Sequence, residues 1–311
     1  MNEFIRSSQY RHFIWFISLL FYNWKLCLLW CFLFVRFKKW LHYCIKYLIH
    51  RKVTTEHDAG FFSCCSIRLL DIMNYINLIQ KSPKTVDSSK SFIMYKKNIN
   101  DDIFDFFEHY NNTTNINIKD ATLSYDAWTQ FTKYSEMDYK FVKSIIKKYF
   151  SPSNKINKII SDIEQKYNIK HNNTLAVYYR GTDKYKETQL PPFNEFYKQI
   201  IGIVNKNKNI KILLQSDCAT FIDYIISKKI KNIFIIKENK TSYTNKGIHN
   251  EQTSDENYYD MLNFLSTIII MSRCKYIICS SGNCSVWMML YRGNGKNVIQ
   301  YLNGNWHNSI V

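Results

Sequence analysis

No Cys-x-x-Cys pair occurs in this chain, although it carries nine cysteines, at positions 27, 31, 44, 64, 65, 218, 274, 279 and 284. Structural zinc sites need ligands paired at short spacings, so this pattern argues against a metal site. The odd count, with several cysteines inside apolar runs, fits buried free thiols and favours a reducing compartment. The chain also lacks any run of five or more basic residues, and it has no zinc-finger, RNP or helix-turn-helix signature. Its net charge is nevertheless +17, from 42 Lys and Arg against 25 Asp and Glu. That excess is spread thinly through a chain rich in Lys, Asn, Ile and Tyr, as codons rich in A and T produce. No nucleic-acid partner is expected; a nucleic-acid binder would betray itself by steeply salt-dependent affinity. No internal repeat is visible.

What is present is apolar material in quantity. The 311 residues are 46% hydrophobic and 16% aromatic, enough for two domains or for one domain and an anchor. Phe13 to Val35 is nearly continuous apolar sequence, long enough to span a bilayer. Lys25 near its middle costs about 2.5–3.5 kcal/mol on insertion, which the surrounding Leu, Phe and Ile offset. No small-residue cleavage site follows, which argues against a cleaved signal peptide. Residues 1–50 are therefore expected to form a hydrophobic amino-terminal helix and a single membrane anchor, ahead of an interfacial helix or a buried extension. Arg6 and Arg11 precede the span, but Arg36, Lys38 and Lys39 follow it. The positive-inside rule then leaves the following domain in the cytosol, whereas a lumenal enzyme needs the opposite orientation.

From about residue 53 the chain reads as punctuated elements. Gly60-Phe61-Phe62-Ser63 precedes a helical run from Ile67 to Ile79, Pro83 ends it, and Thr85-Val86-Asp87 resembles a short strand. Asp101 to Tyr110 reads as helical and Asn111 to Ile118 as a loop. Tyr139–Phe150 and Ile156–Tyr167 read as amphipathic helices separated by Ser151-Pro152-Ser153. A domain boundary falls between 150 and 173. Beyond it strands and helices alternate: strands at Leu175–Tyr179, Ile210–Leu214, Ile233–Ile236, Tyr276–Cys279 and Asn297–Gln300, with helices at Phe193–Asn205, Ala219–Ser227, Tyr258–Met271 and up to Tyr291. A polar loop fills Asn239 to Glu256. This pattern predicts an α/β fold with a parallel doubly wound sheet in the carboxyl-terminal half.

In such sheets ligands bind at the carboxyl ends of the strands. Three of those ends are polar: Arg180-Gly181-Thr182-Asp183-Lys184, Gln215-Ser216-Asp217, and Ser280-Ser281-Gly282-Asn283-Cys284-Ser285. An Arg there suits a diphosphate. The Ser-rich turn adds hydroxyls, small residues and a following helix whose start favours anions. Each segment also has a plainer explanation: a loop ion pair, a helix N-cap at Asp217, and a helix cap in the Ser-Gly-Asn run. Their coincidence on one sheet edge favours a site built from Arg180, Lys184, Ser216, Asp217, Ser280, Ser281, Gly282, Asn283 and Ser285.

These segments resemble the motifs of the fucosyltransferase superfamily, which includes α1,2-, α1,6- and protein O-fucosyltransferases. The resemblance covers about residues 55 to 306. Val177 to Lys184 is similar to that family's motif of His, any residue, Arg, Arg, then Thr or Gly, Asp. Ser216-Asp217 and Ser280 to Ser285 resemble its second and third motifs, and Gly60 to Ser63 is a fainter echo of its Gly-rich loop. The resemblance implies a GT-B fold of two Rossmann-like domains, an acceptor-side domain over 51–160 and a donor domain over 161–311. It implies GDP-fucose as donor substrate, no cofactor, no metal, and inverting transfer to a hydroxyl of a glycan or glycoprotein. Arg180 would hold the donor pyrophosphate, with Asp183 orienting it. The chain departs from the motif twice: Tyr178 stands where the family has His, and Gly181 where many members have a second Arg.

With no metal, fixed cations and donors must stabilise the charge growing on the leaving phosphate. Arg180, Lys184 and the start of the last helix can do so. An inverting transfer also needs a base. Glu187 is the nearest carboxylate, with a plainer role as the ion-pair partner of Lys184 or Lys186; His249 and Asp255 are the runners-up. The catalytic set is thus Arg180, Asp183 and Glu187. A second reading, which the two departures favour, is an inactive, membrane-attached nucleotide- or carbohydrate-binding module.

Overall fold

The computed structural model describes residue 38 and residues 51–98, 102–108, 110, 116 and 129–311. The expected anchor, Phe13 to Val35, and nearly all of the 111–118 loop lie outside the described residues. Among the described residues no helix is long and apolar enough to cross a membrane. Val53–Val311 form one compact unit, and Met1–Lys52 are assigned to another.

The amino-terminal part of the larger unit begins with β1 (Lys52–His57), α1 (Phe61–Ile79) and β2 (Thr85–Ser91). β1 and β2 form a two-stranded sheet. Among the described residues this is the only sheet before residue 174, so a full second Rossmann-like sheet is not seen there. α1 starts directly from Gly60-Phe61-Phe62-Ser63, six residues earlier than the apolar stripe at Ile67 suggested. Residues 102–108 do not make the helix expected of them; they form turns. The Glu108 N–H donates to the Ser151 carbonyl (3.0 Å) and the Ser153 N–H to the Phe106 carbonyl (3.0 Å). Pairing with the Ser-Pro-Ser segment thus takes the backbone groups that a helix would use internally.

Two amphipathic helices follow, α2 (Tyr139–Tyr149) and α3 (Asn154–Lys166). The Ser153 hydroxyl caps α3 by accepting from the Ile156 N–H (3.2 Å). The main sheet then builds up as β3 (Thr174–Tyr179), α4 (Phe193–Lys206), β4 (Lys211–Ser216), α5 (Ala219–Ser227), β5 (Ile233–Phe234), α6 (Ser254–Arg273), β6 (Tyr276–Ser280), α7 (Asn283–Arg292), β7 (Val298–Leu302) and β8 (Asn305–Asn308). Its strand order is β5-β4-β3-β6-β7-β8, with every pair parallel except β7–β8. The order reverses between β3 and β6, which makes their carboxyl ends the topological switch point, where a crevice opens. Register places Tyr179 beside Ser216 and Tyr178 beside Cys279. Arg180, Asp217 and Ser280 therefore emerge side by side.

β3 is buried at all six positions, as expected of a strand covered on both faces. One layer of its packing joins Leu175, Val177 and Tyr179 to Phe196, Ile200, Ile212, Leu214, Phe221 and Ile225. Tyr179 stacks on Phe221 at 4.3 Å between ring centroids. β8 was absent from the sequence reading. It pairs with β7 through Asn303-Gly304, whose φ values of 48° and 83° are those of a two-residue type I′ turn.

Trp287 of α7 ties the two parts of the unit together. It is fully buried and packs on Phe62 of α1 and on Phe150 (6.4 and 4.7 Å between centroids). Its Nε1 donates to Ser66 Oγ (3.0 Å). Arg68, two residues after Ser66, is buried too and donates to the Tyr149 carbonyl at the end of α2 (2.8 Å), where the helix dipole favours a cation. Replacing Trp287 with Ala is expected to cost about 3–5 kcal/mol of unfolding free energy, read from urea denaturation. A loss below about 1 kcal/mol would show that this contact does not join the two parts.

Candidate functional site

The loop after β3 is locked to the end of β4 by one carboxylate. Asp217 Oδ1 accepts from the Gly181 N–H (2.7 Å), and its Oδ2 accepts from the Thr182 hydroxyl and pairs with the Arg180 guanidinium. Arg180 also donates to the Thr182 hydroxyl and to Asp183 Oδ1 (2.5 Å). Its backbone N–H donates to Ser280 Oγ (2.9 Å), tying the same loop to β6. Gly181 is required by close packing, because a Cβ there would lie 2.7 Å from Cys218 Cβ and 2.8 Å from a ring carbon of Tyr179. No side chain fits, so a second Arg at this position is excluded by geometry.

The next residue but two supplies a cation by another route. Lys184 is buried, its side chain 5% exposed, and it passes beneath the start of α7, where a Cβ on Gly282 would touch its Cε at 3.4 Å. Its ammonium donates to Gln130 Oε1 (2.9 Å) and Glu187 Oε2 (2.5 Å) and lies 5.5 Å from the Phe131 ring centroid. Glu187, about half exposed, is therefore the ion-pair partner of Lys184.

These groups border a cavity of about 510 Å³ at the switch point, a size suited to a small-molecule ligand. Arg180, Asp183, Lys184, Glu187, Ser216, Asp217, Gly282, Asn283 and Ser285 all line it. Ser280 and Ser281 do not, because their hydroxyls are engaged behind the wall. Ser280 holds the Arg180 N–H, while Ser281 Oγ donates to the Tyr301 carbonyl (2.7 Å) and accepts from Gln300 (2.8 Å). Asp217 is no helix cap either, since α5 is preceded by Cys218 and the Asp217 carboxylate turns toward the loop. Asp255 sits exposed in the first turn of α6, away from the cavity.

The far wall holds groups outside the expected site set, of which Phe61, Phe62, Ser63 and Gln215 belong to segments already marked in the sequence. Phe61, Phe62 and Ser63 come from α1, Tyr95 from the turn after β2, and Gln215, Asn239, Lys240, Gln252 and Asp260 from the opposite side. Lys240 and Asp260 pair at 3.0 Å. The charged groups of the lining are thus three cations, Arg180, Lys184 and Lys240, against four carboxylates, Asp183, Asp217, Glu187 and Asp260. Two helix starts add positive field: neither Gly60 before α1 nor Gly282 before α7 receives a side-chain cap, and both border the cavity.

Protonation follows these contacts. Burial opposes the Arg180 charge, but its surroundings, with the ionised Asp183 carboxylate in direct contact, outweigh that effect and raise its pKa. Burial also works against the Asp183 carboxylate, yet the Arg180 charge and the Thr182 and Arg180 hydrogen bonds hold it below the ordinary Asp value. Burial pushes the Tyr178 phenol and the Cys284 thiol up, so both are neutral near pH 7. Burial and the Arg180 charge push His249 down, against a smaller opposing pull from Asp183.

A parallel doubly wound sheet with a cavity at its switch point, an Arg at the end of β3 and a helix start without a side-chain cap opposite is the architecture of a ligand-binding α/β protein. Among solved structures the fold matches the NodZ α-1,6-fucosyltransferase soaked with GDP-fucose, with a TM-score of 0.50 and 13% identity over 83% of this chain and 98% of that one. NodZ from Bradyrhizobium in another crystal structure gives a TM-score of 0.48 and 12% identity over 83% and 98%. The fold is thus similar to that of a fucosyltransferase, as the strand-end motifs implied. No protein-family model matches the chain, and no curated protein matches it in sequence.

The depressed Asp183 value fixes a sign. Its stabilising contribution is complete above the unfolded Asp pKa of about 3.9 and is lost as pH falls through the lower folded value. Asp183→Asn should therefore be less stable than the wild type above about pH 4, and the gap should close on further acidification. A gap that widens in acid, measured by urea unfolding, would contradict the pairing with Arg180.

Proposed function

We propose that this protein is a glycosyltransferase that takes a sugar from a nucleoside diphosphate donor and transfers it to a hydroxyl acceptor. The observation that carries this reading is the juxtaposition, in one cavity, of the Arg180 guanidinium, the buried Lys184 ammonium and the start of α7. A diphosphate needs these groups: a planar fork for bidentate contact, a second fixed charge, and backbone N–H groups aimed at its oxygens. As the sugar–phosphate bond breaks, negative charge grows on the β-phosphate, and donors already held in place stabilise it without reorganising. Asp217 and Asp183 keep Arg180 in that position. GDP-fucose is the donor tested first, because the fold is similar to that of NodZ, whose structure was determined after soaking with it. Among the described residues no group of three or more His, Cys, Asp or Glu is placed to hold a metal ion.

The acceptor is assigned to the wall formed by Phe61, Phe62, Ser63 and Tyr95, which faces the cavity from the amino-terminal part of the unit. Aromatic rings beside a hydroxyl and a helix start suit a glycan or a hydroxyl on a glycoprotein. Within this reading residues 51–160 form the acceptor side, residues 161–311 the donor side, and the apolar segment before them a membrane anchor.

One observation favours the alternative of a binding module without turnover: each cation of the cavity is already paired with a carboxylate. GDP affinity and GDP release from GDP-fucose separate the two, since a module binds and does not turn over. For either, Arg180→Ala should weaken GDP binding about tenfold to a hundredfold, from the ~1.5–3 kcal/mol of a charge-assisted contact. Arg180→Lys should restore only part of it. Unchanged GDP affinity in Arg180→Ala, by calorimetry, would remove the donor site from this cavity.

A further inference from the structure

We propose that His249 is the base that takes the acceptor proton, an inference that rests on the transferase reading above. His249 sits in the short turn Ile248–Asn250 of the loop before α6 and lines the cavity between its two walls. On one side are the acceptor-wall groups: its Cε1 is 3.9 Å from where a Gly60 Cβ would be, and its ring centroid is 6.5 Å from that of Tyr95. On the other side are Arg180 and Asp183, whose charges it feels. A group in that position lies where a hydroxyl would meet a sugar held by its phosphates.

The loop holds the ring in place. The His249 carbonyl accepts from Asn257 Nδ2 (2.9 Å), and Asn257 is itself buried in α6. The Asn250 N–H closes the turn on the Gly247 carbonyl (3.0 Å). A Cβ on Gly247 would lie 2.9 Å from His249 Cε1 and 3.0 Å from Asp183 Oδ2, so a side chain there would push these two groups from their positions. The glycine lets the imidazole and the Asp183 carboxylate approach the same point of the loop backbone.

The carboxylates of the cavity are engaged elsewhere. Asp183 and Asp217 pair with Arg180, Glu187 with Lys184, and Asp260 with Lys240. An adjacent cation stabilises the ionised carboxylate and weakens it as a base. The His249 ring nitrogens, by contrast, have no hydrogen-bond partner among the described residues. The groups facing the ring are Arg180 and Asp183 from the β3 loop and Tyr95 from the turn after β2, with burial pushing the Tyr95 phenol up. Arg180 favours a neutral imidazole, ready to accept a proton, and Asp183 steadies the imidazolium once formed.

The step balances without a further reactant. The acceptor O–H gives its proton to an imidazole nitrogen, and its oxygen forms the new bond to the anomeric carbon. The bond from that carbon to the β-phosphate oxygen breaks, and its electron pair leaves with the nucleoside diphosphate.

The test uses the full chain, GDP-fucose and water as acceptor, with GDP release followed across acidic to neutral pH. In the wild type the rate should fall in acid, with a midpoint below the ordinary His value of about 6.5. His249→Gln should be slower by at least ~100-fold, lose that acid limb, recover partly on addition of imidazole, and bind GDP as the wild type does. Glu187→Gln should keep the limb. The base assignment is overturned if His249→Gln retains the wild-type rate and limb, if the limb vanishes in Glu187→Gln instead, or if the wild type binds GDP without turnover. Failure of the wild type to bind GDP would instead sink the donor reading, and the base with it.

Discussion

The Asp217 carboxylate fixes the geometry on which the rest of the cavity depends. Standing at the end of β4, it receives the Gly181 N–H, the Thr182 hydroxyl and the Arg180 guanidinium, and so closes the β3 loop against the neighbouring strand. Parallel register puts the two strand ends side by side, and the absence of a side chain at 181 lets the backbones meet. Arg180 is thereby aimed by three groups at once. Side-chain freedom that a ligand would otherwise have to freeze has already been lost in folding.

That arrangement has an electrostatic consequence. Carboxylates outnumber ammonium and guanidinium groups around the cavity, so its side chains alone would not attract a diphosphate. The balance is tipped by backbone: the starts of α1 and α7, neither capped by a side chain, present the positive ends of their dipoles. Lys184 reinforces α7 from below, running under Gly282. Positive potential in this cavity therefore comes from helix placement at least as much as from the charged residues, and Trp287 Nε1 donating to Ser66 Oγ joins α7 to α1.

Much of this was legible in the sequence, for identifiable reasons. Strands β3, β4 and β6 are short apolar runs ending in polar clusters, and their alternation with amphipathic helices announced a parallel sheet with its site at those ends. The helix Ala219–Ser227 was read to the residue. What was missed had weaker or longer-range signals. The start of α6 was placed four residues late, although Thr253 and Glu256 form a capping box whose S/T-x-x-E spacing is visible in the chain. The 102–108 segment carries helix-like composition but is claimed by backbone pairing with residues 151–153, which no local pattern reveals. Ser280 and Ser281 looked like phosphate ligands by residue type, but partners distant in sequence, Arg180, Gln300 and Tyr301, claim their hydroxyls. Gly181 read as a lost arginine, and only the close approach of Cys218 shows that the position admits no side chain.

The Asn303-Gly304 hairpin matters beyond topology. It adds β8, four residues long, outside β7, while the opposite margin of the sheet ends in the two residues of β5. A sheet exposes unpaired N–H and C=O groups only along its outermost strands, and these are templates for pairing with another chain. Both margins of the six-stranded sheet are too short to recruit a partner strand over any useful length. The main sheet of a polypeptide so rich in Ile, Tyr and Phe thereby offers little template for edge-to-edge pairing in its native state.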